Sequence, residues 1–205
     1  MISIVNYGLG NLASITNMLN YLGIPSQIIH TPAQLDSAQK IILPGVGSFD
    51  AGMANLRNYG WLSILNRKVL DERVPVLGIC LGMQLMTQSS EEGTDKGLGY
   101  IAGVTRKINL PTGSNLKVPH MGWAEVKEIK TGVFKKGLLP NSRFYFAHTY
   151  MVSLDNPEDQ WLTAEYGQHF CAAYHKENII GVQFHPEKSH KYGLDFLKKF
   201  ILNFN

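Results

Sequence analysis

The sequence predicts an α/β fold, with a mostly parallel central sheet flanked by helices and added antiparallel strands in the second half. Three observations lead there. Short apolar, β-branched runs alternate with helical patterns through the first half, the signature of a parallel sheet covered on both faces. From Val104 to Phe184 the pattern turns to strands separated by turn residues, which reads as hairpins extending that sheet or forming a small second one. Hydrophobic residues make up 44% of the 205, enough for one core, and no linker or internal repeat divides the chain. One domain over residues 1–205 is expected.

The elements follow in order. Ile2–Tyr7 is a buried strand that ends at the turn residues Gly8 and Gly10. Asn11 opens a helix in which Leu12, Ile15, Leu19 and Leu22 recur at helical spacing, and Gly23 stands at its C-cap position. Strands are expected at Ser26–Ile29 and Lys40–Leu43, then helices over Asp50–Asn58 and Leu62–Asp71. Val74–Ile79 is a fourth strand, followed directly by a helix over Leu81–Gln88. The second half holds strands at Val104–Ile108, Ala124–Ile129, Arg143–Ala147, Trp161–Glu165, Phe170–Tyr174 and Ile179–Phe184. A last helix over Tyr192–Phe204 aligns Leu194, Leu197, Ile201 and Phe204.

Composition excludes several classes. Charged residues are only 17% and form no block, which argues against disorder. A net charge of +3, from 19 basic and 16 acidic residues, is too small and scattered for a nucleic-acid partner. No apolar run approaches the ~18 residues of a membrane span, and Met1–Leu9 reads as a strand without the basic start of a signal peptide. Cys80 and Cys171 lie far apart and outside any CxxC pair, so neither a disulfide framework nor a zinc site is expected. A cytoplasmic chain without metal follows.

The chemistry concentrates in three places. Gly78-Ile79-Cys80-Leu81-Gly82, between a strand and a helix, has the form of a nucleophile elbow with Cys as nucleophile. Such a turn brings chain segments so close that only glycine fits on both flanks. It sets the sulfur at a helix N-terminus, which favours thiolate, and frees the Leu81 N–H as an oxyanion donor. The alternative for these five residues alone is a buried structural cysteine. A thiolate needs a base, and the base an orienter. His185-Pro186-Glu187, ending an apolar strand, supplies both, since residues two apart in an extended segment point to one side. His30, His120, His148, His169, His175 and His190 lack that grouping. Third, Pro44-Gly45-Val46-Gly47 after a strand permits amides to turn inward as a second oxyanion donor. A phosphate-cradling loop is its rival, but neither GxxxxGK[ST] nor GxGxxG is present.

GICLGMQ, PGVGSF and GVQFHPEKS resemble the triad-type glutamine amidotransferases. YGLGN, PGVG, LKVPHMGW, FYFAHTY and the Lys-Ser after His-Pro-Glu resemble, more narrowly, the glutaminase subunits of imidazole glycerol phosphate synthase in histidine biosynthesis. The motifs run from residue 7 to 189, essentially the whole chain. The resemblance implies a flavodoxin-like amidotransferase fold and L-glutamine as substrate, with no cofactor. It implies that Cys80 attacks the side-chain amide, that His185 moves protons and that Glu187 holds His185. Leu81 and Val46 would serve the oxyanion, the latter after a peptide near Val46 turns over. Gly47, Gln84, Glu92, His148, Thr149 and Tyr150 match positions that hold glutamine. For Gln84 and Thr149 the residues alone favour helix surface and strand end.

Asn11, Trp123, Tyr145 and Lys188 match positions near the face where this family docks a (β/α)₈-barrel cyclase subunit in a heterodimer, through which ammonia passes. By itself Trp123 suits either an interface or the core. Ala124 departs from the Asn that the family usually carries after that Trp, which bears on local partner contacts. It leaves room for a paralogue that feeds ammonia to a surface-polysaccharide sugar amidotransferase. Two further classes stand beside these: an independent cysteine hydrolase on the same fold, and a silent scaffolding subunit, against which Cys80, His185 and Glu187 all count.

Overall fold

The computed structural model describes residues 1–204. Its first half is the expected alternation: β1 (Ile2–Val5), α1 (Leu12–Tyr21), β2 (Ser26–Ile29), β3 (Lys40–Gly45), α2 (Phe49–Asn58), α3 (Trp61–Asn66), β4 (Val76–Cys80) and α4 (Leu81–Leu85). The chain continues through β5 (Ser89–Ser90), β6 (Gly103–Lys107), β7 (His120–Glu128), β8 (Arg143–His148), β9 (Tyr150–Leu154), β10 (Gln160–Glu165), β11 (His169–Lys176) and β12 (Ile179–Val182), and α5 (His190–Asn203) follows.

Nine strands form one sheet in the order β2-β1-β3-β4-β12-β11-β10-β7-β8. β2, β1, β3, β4 and β12 are mutually parallel, and from β11 onward every pairing is antiparallel. The parallel half therefore has the flavodoxin-like 2-1-3-4 order, with β12 as its fifth strand. β5, β6 and β9 form a separate three-stranded sheet. Both arrangements offered for the second half occur together: hairpins extend the main sheet, and a small second sheet stands beside it.

Period-two alternation explains the two faces. Ile2 and Ile4 of β1, Ile42 of β3, Leu77 and Ile79 of β4 and Ile180 and Val182 of β12 pack with Ile15 and Leu19 of α1 and Phe196, Leu197 and Phe200 of α5. Val5, Ile41, Leu43, Val76 and Ile179 turn to the other side, against α2, α3 and α4 through Phe49, Met53, Trp61, Leu65 and Leu85. α1 starts where expected, with Asn11 Oδ1 accepting from the Ser14 amide at 3.4 Å. Gly23, at φ +68°, takes the left-handed conformation that ends it.

Several boundaries differ from the sequence pattern, each for a tertiary reason. The helix expected over Leu81–Gln88 stops at Leu85. Its last carbonyls are taken by a distant loop, with Leu98 N–H donating to Leu85 O at 2.8 Å and Ile101 N–H to Met86 O at 3.1 Å, while Thr87 Oγ1 donates to Gln84 O at 2.7 Å. The helix expected to Asp71 leaves α-geometry at Arg67 for a π-helical turn. β7 begins at His120, earlier than the expected Ala124, because it pairs with the full length of β8. β9 lies where no strand was expected; β6 pairs with it from Gly103 to Lys107.

Candidate active site

Open α/β sheets bind ligands beyond the carboxyl ends of their parallel strands. Here the C-terminal ends of β3, β4 and β12 deliver Gly45, Cys80 and, three residues past β12, His185. Cys80 ends β4 at φ +52°, ψ −108°, a conformation costly for any side-chain-bearing residue. The elbow is held by close approach. A Cβ on Gly82 would sit 1.8 Å from the Leu43 carbonyl oxygen, and one on Gly78 would lie 2.5 Å from Met86 Cε. Glycine on both flanks is thus a packing requirement, as the motif predicted. Because α4 is only five residues long, the local unpaired amides at its start, Leu81 among them, matter more than any helix dipole.

His185 is buried, and its Nδ1 lies 2.8 Å from Glu187 Oε1. The expected extended His-Pro-Glu segment is instead a single 3-10 turn over Pro186–Lys188, for which His185 is the cap. The turn folds Glu187 back under the imidazole, so the pairing stands but its geometric reason differs. Ser189, buried, secures the turn: its Oγ donates to His185 O at 2.6 Å and accepts the Tyr145 amide at 3.0 Å. The His185 amide in turn donates to Tyr145 O at 2.9 Å. Burial opposes a charged imidazole here. Hydrogen bonds with Cys80 and Glu187, and their negative charges, overcome it and raise the His185 pKa to about 10. At neutral pH the imidazole therefore keeps its proton beside the sulfur.

The other predicted positions gather around this centre. Gly47 stands at φ +133° and Val46 is half exposed, and among the described residues neither amide donates a hydrogen bond. Glu92 reaches the same loop through Oε2, which accepts the Phe49 amide at 2.8 Å. Asp50 braces the segment that carries Glu92 by accepting the Thr94 and Asp95 amides. Gln84, buried, donates Nε2 to Tyr150 O at 3.1 Å and to Gln183 Oε1 at 3.0 Å, which leaves its Oε1 for a ligand. His148 Nδ1 donates to the same Tyr150 carbonyl at 2.8 Å, and burial lowers its pKa to about 3. Thr149 joins the two, its carbonyl accepting the Ile108 amide at 2.9 Å.

Of the four interface candidates, three cluster. Trp123 is 44% exposed, which settles it as a surface residue. It stacks on His190 with ring centroids 5.6 Å apart and meets Tyr145 edge-on at 6.2 Å. Lys188 Nζ lies 5.8 Å above the Tyr145 ring. Asn11 acts locally as the α1 cap. Sequence reasoning assigned no role to Gln183, whose Nε2 lies 3.7 Å from Cys80 Sγ, or to His120, whose Nδ1 lies 3.1 Å from His148 Nε2. The two-residue spacing of Gln183 and His185 on one strand end was the available signal for the former. Cys171 is free and buried, with its thiol pushed up by burial. Among the described residues no group of three His, Cys, Asp or Glu is placed to hold a metal ion, and no helix is long and apolar enough to cross a membrane.

Cys80 at a strand-to-helix elbow, with a His–Glu pair just past the next parallel strand, is an arrangement able to carry thiol-based amide hydrolysis on an α/β fold. Residues 3–204 match the family Glutamine amidotransferase class-I. Imidazole glycerol phosphate synthase subunit HisH 2 of Methanococcus maripaludis is 49% identical over 201 residues, with 98% of each chain covered. Subunit HisH of Bdellovibrio bacteriovorus is 45% identical and HisH 2 of Pseudomonas aeruginosa 42%, again over 98% of each chain. The same fold occurs in PurLQS from Thermotoga maritima (TM-score 0.73, 18% identity, 98% of this chain and 96% of that one) and in a glutamine amidotransferase from Methylobacillus flagellatus (TM-score 0.61, 19% identity, 91% and 70%). The chain belongs to the class-I glutamine amidotransferases and, within them, to the HisH family.

Proposed function

We propose that this enzyme hydrolyses L-glutamine to glutamate and ammonia and passes the ammonia to the cyclase subunit of imidazole glycerol phosphate synthase, a (β/α)₈ barrel, in a cytoplasmic heterodimer of histidine biosynthesis. Residues 1–205 act as one amidotransferase domain. The observation that carries the reading is geometric: Cys80 at a glycine-flanked strand-to-helix elbow, with His185 just past the neighbouring strand and its Nδ1 2.8 Å from Glu187 Oε1.

The Cys80 thiolate attacks the γ-carbonyl carbon of glutamine, and the carbonyl electron pair moves onto oxygen. The Leu81 amide, and the Val46 peptide once turned inward, donate to that oxyanion. The C–N bond breaks as His185 gives its proton to the leaving ammonia, and a γ-glutamyl thioester remains. Water then gives a proton to His185 and its oxygen attacks the thioester carbon. The C–S bond breaks, glutamate leaves, and the thiolate–imidazolium pair is restored. Glu187 holds the imidazole and stabilises its charged state throughout. Glu92 suits the α-ammonium of glutamine, while Gly47, Gln84, His148, Thr149 and Tyr150 surround the rest. The exposed Trp123–Tyr145–Lys188 cluster supports docking at that face. A cleft of about 530 Å³ lined by Trp123, Arg143, His190, Lys191 and Tyr192 adjoins it.

A second reading, an ammonia donor for a sugar-amidating synthase, draws on Ala124 and on relatives with numbered names such as HisH 2. Glutamate release by the purified chain, alone and with the histidine-pathway cyclase of the same organism and its nucleotide ligand, separates the readings. A slow rate that rises at least tenfold in the complex, and vanishes in Cys80→Ala while binding persists, is the expected result. Absent stimulation, with no co-elution, would favour the sugar synthase. Rapid hydrolysis by the lone chain would point to an independent hydrolase.

A further inference from the structure

Gln183 is fully buried, two residues before the catalytic histidine. Which end of its amide faces the sulfur is decided by a group that can only accept. The Tyr150 carbonyl receives Gln84 Nε2 at 3.1 Å, so Gln84 must present nitrogen there. The second hydrogen of that nitrogen goes to Gln183 at 3.0 Å, so Gln183 must present oxygen to it. Its own nitrogen then has one direction left, towards Cys80 Sγ at 3.7 Å. Turning Gln183 over would set two donors against each other in a water-poor interior. The same carbonyl fixes the other branch: His148 donates from Nδ1, so its Nε2 accepts from His120 Nδ1. His120 is in turn clamped between the rings of Tyr166, at 3.9 Å, and Phe146, at 5.0 Å.

We propose that Gln183 is a catalytic residue whose side-chain N–H donates to the Cys80 thiolate, with Gln84 as the positioning residue that keeps it turned to the sulfur. This assignment rests on the glutaminase reading for the identity of the acyl group, while the contact itself does not depend on substrate. A hydrogen bond to an ionised acceptor is stronger than one to a neutral one. It therefore favours thiolate over thiol in the free enzyme and fades when the sulfur becomes a thioester. In the second half of the reaction it returns. As the C–S bond breaks, its electron pair goes to sulfur, and the Gln183 N–H is already in place to receive the developing charge. The Ala147 carbonyl, 4.0 Å from Sγ, is an acceptor and serves only the neutral thiol.

The titratable groups that bear on Cys80 are His185, with Glu187 behind it, just before the turn that follows β12, and Tyr7, two residues past β1. Burial holds Tyr7 un-ionised to high pH, with the Cys80 charge adding to this. His148, at the end of β8, bears on His185, and burial keeps it neutral down to about pH 3.

The test is the pH dependence of Cys80 alkylation by iodoacetamide in a Cys171→Ala background, where no glutamine is needed. Gln183→Met keeps the side-chain length without the donor. Its midpoint is expected about one pH unit above that of the parent, with Gln84→Met shifting in the same direction by less. Coincident midpoints in a folded Gln183→Met protein would overturn the proposal. If that variant does not fold, ¹⁵N-glutamine labelling of the unsubstituted chain decides. One side-chain amide proton is expected to move at the pH where alkylation titrates and to stop moving in Cys80→Ala. No such proton would equally overturn it. Failure of the glutaminase reading looks different: a displaced midpoint in Gln183→Met with no glutamate released by the parent.

Discussion

Replacing His148 by glutamine removes an acid-sensitive element from the fold. His148 is buried, donates to the Tyr150 carbonyl and accepts from His120, and burial lowers its pKa from the ordinary 6.5 to about 3. At pH 5 a histidine in the unfolded chain is almost fully protonated, whereas the folded His148 is neutral. Unfolding then takes up one proton, and stability falls by ~1.4 kcal/mol for each pH unit of acidification. Because the folded pKa is depressed, this contribution is fully present above 6.5 and is lost as the pH falls towards 3. Integrated from pH 6.5 to 5, the loss from this one residue is about 2 kcal/mol. Glutamine can still donate to Tyr150 O and accept from His120, but it does not titrate. Urea unfolding at the two pH values is therefore expected to show wild type losing about 2 kcal/mol more than His148→Gln. Groups away from residue 148 that titrate in this range, His175 included, cancel in the comparison. Equal losses would mean that His148 is protonated in the fold, and the donor–acceptor order drawn from it would be wrong.

Two further substitutions probe the same centre. Gly82→Ala places a Cβ 1.8 Å from the Leu43 carbonyl oxygen, which forces β3 and its Pro44–Gly47 extension away from the elbow. A stability loss above ~3 kcal/mol and at least a tenfold fall in glutamate release are expected; a stable, active variant would refute the close packing. Tyr7→Phe removes a hydroxyl that is buried without a hydrogen-bond partner, so urea unfolding should show no loss and up to ~1 kcal/mol of gain. A loss of that size would instead reveal a partner for the hydroxyl in solution.

The gathering of Cys80, His185 and Glu187 was legible because each sits in a short motif whose residue types are dictated locally. Glycine at 78 and 82 is required by backbone contact, and Pro186 begins the turn that returns Glu187 to His185. The parallel half was legible for a similar reason: buried strands there are continuous apolar runs, each followed by a helix or a turn. What escaped depends on partners far away in sequence. Nothing near Gln88 signals that α4 stops at Leu85; the carbonyls there are claimed by amides at 98 and 101. β9 (YMVSL) is apolar but for Ser153, and only Thr149 separates it from β8, so no turn signal marks where one strand ends and the next begins. Gln183 lay inside a quoted motif, yet in an apolar strand it reads as packing. Its function depends on Gln84 and Cys80, each about a hundred positions away in the chain.

The site lies at the seam where the sheet changes from parallel to antiparallel. β12 is parallel to β4 on one side and antiparallel to β11 on the other. Cys80 thus comes from the parallel half, while His185 follows the seam strand and is fastened to β8 at the far edge of the sheet. That fastening joins the two main chains directly and through one hydroxyl: His185 N–H donates to Tyr145 O at 2.9 Å, and Tyr145 N–H donates to Ser189 Oγ at 3.0 Å, which in turn donates to His185 O. Tyr145 is also the ring that meets Trp123 and lies beneath Lys188. Tyr145, in the exposed cluster, and the His185 main chain are therefore parts of one hydrogen-bonded unit. A shift of the Tyr145 main chain either carries His185 with it or breaks buried hydrogen bonds, at about 1–3 kcal/mol for each polar group left unpaired. The first course keeps those bonds intact. Under the docking proposed above at Trp123 and Tyr145, a partner's pressure on that face would reach His185 through this fastening.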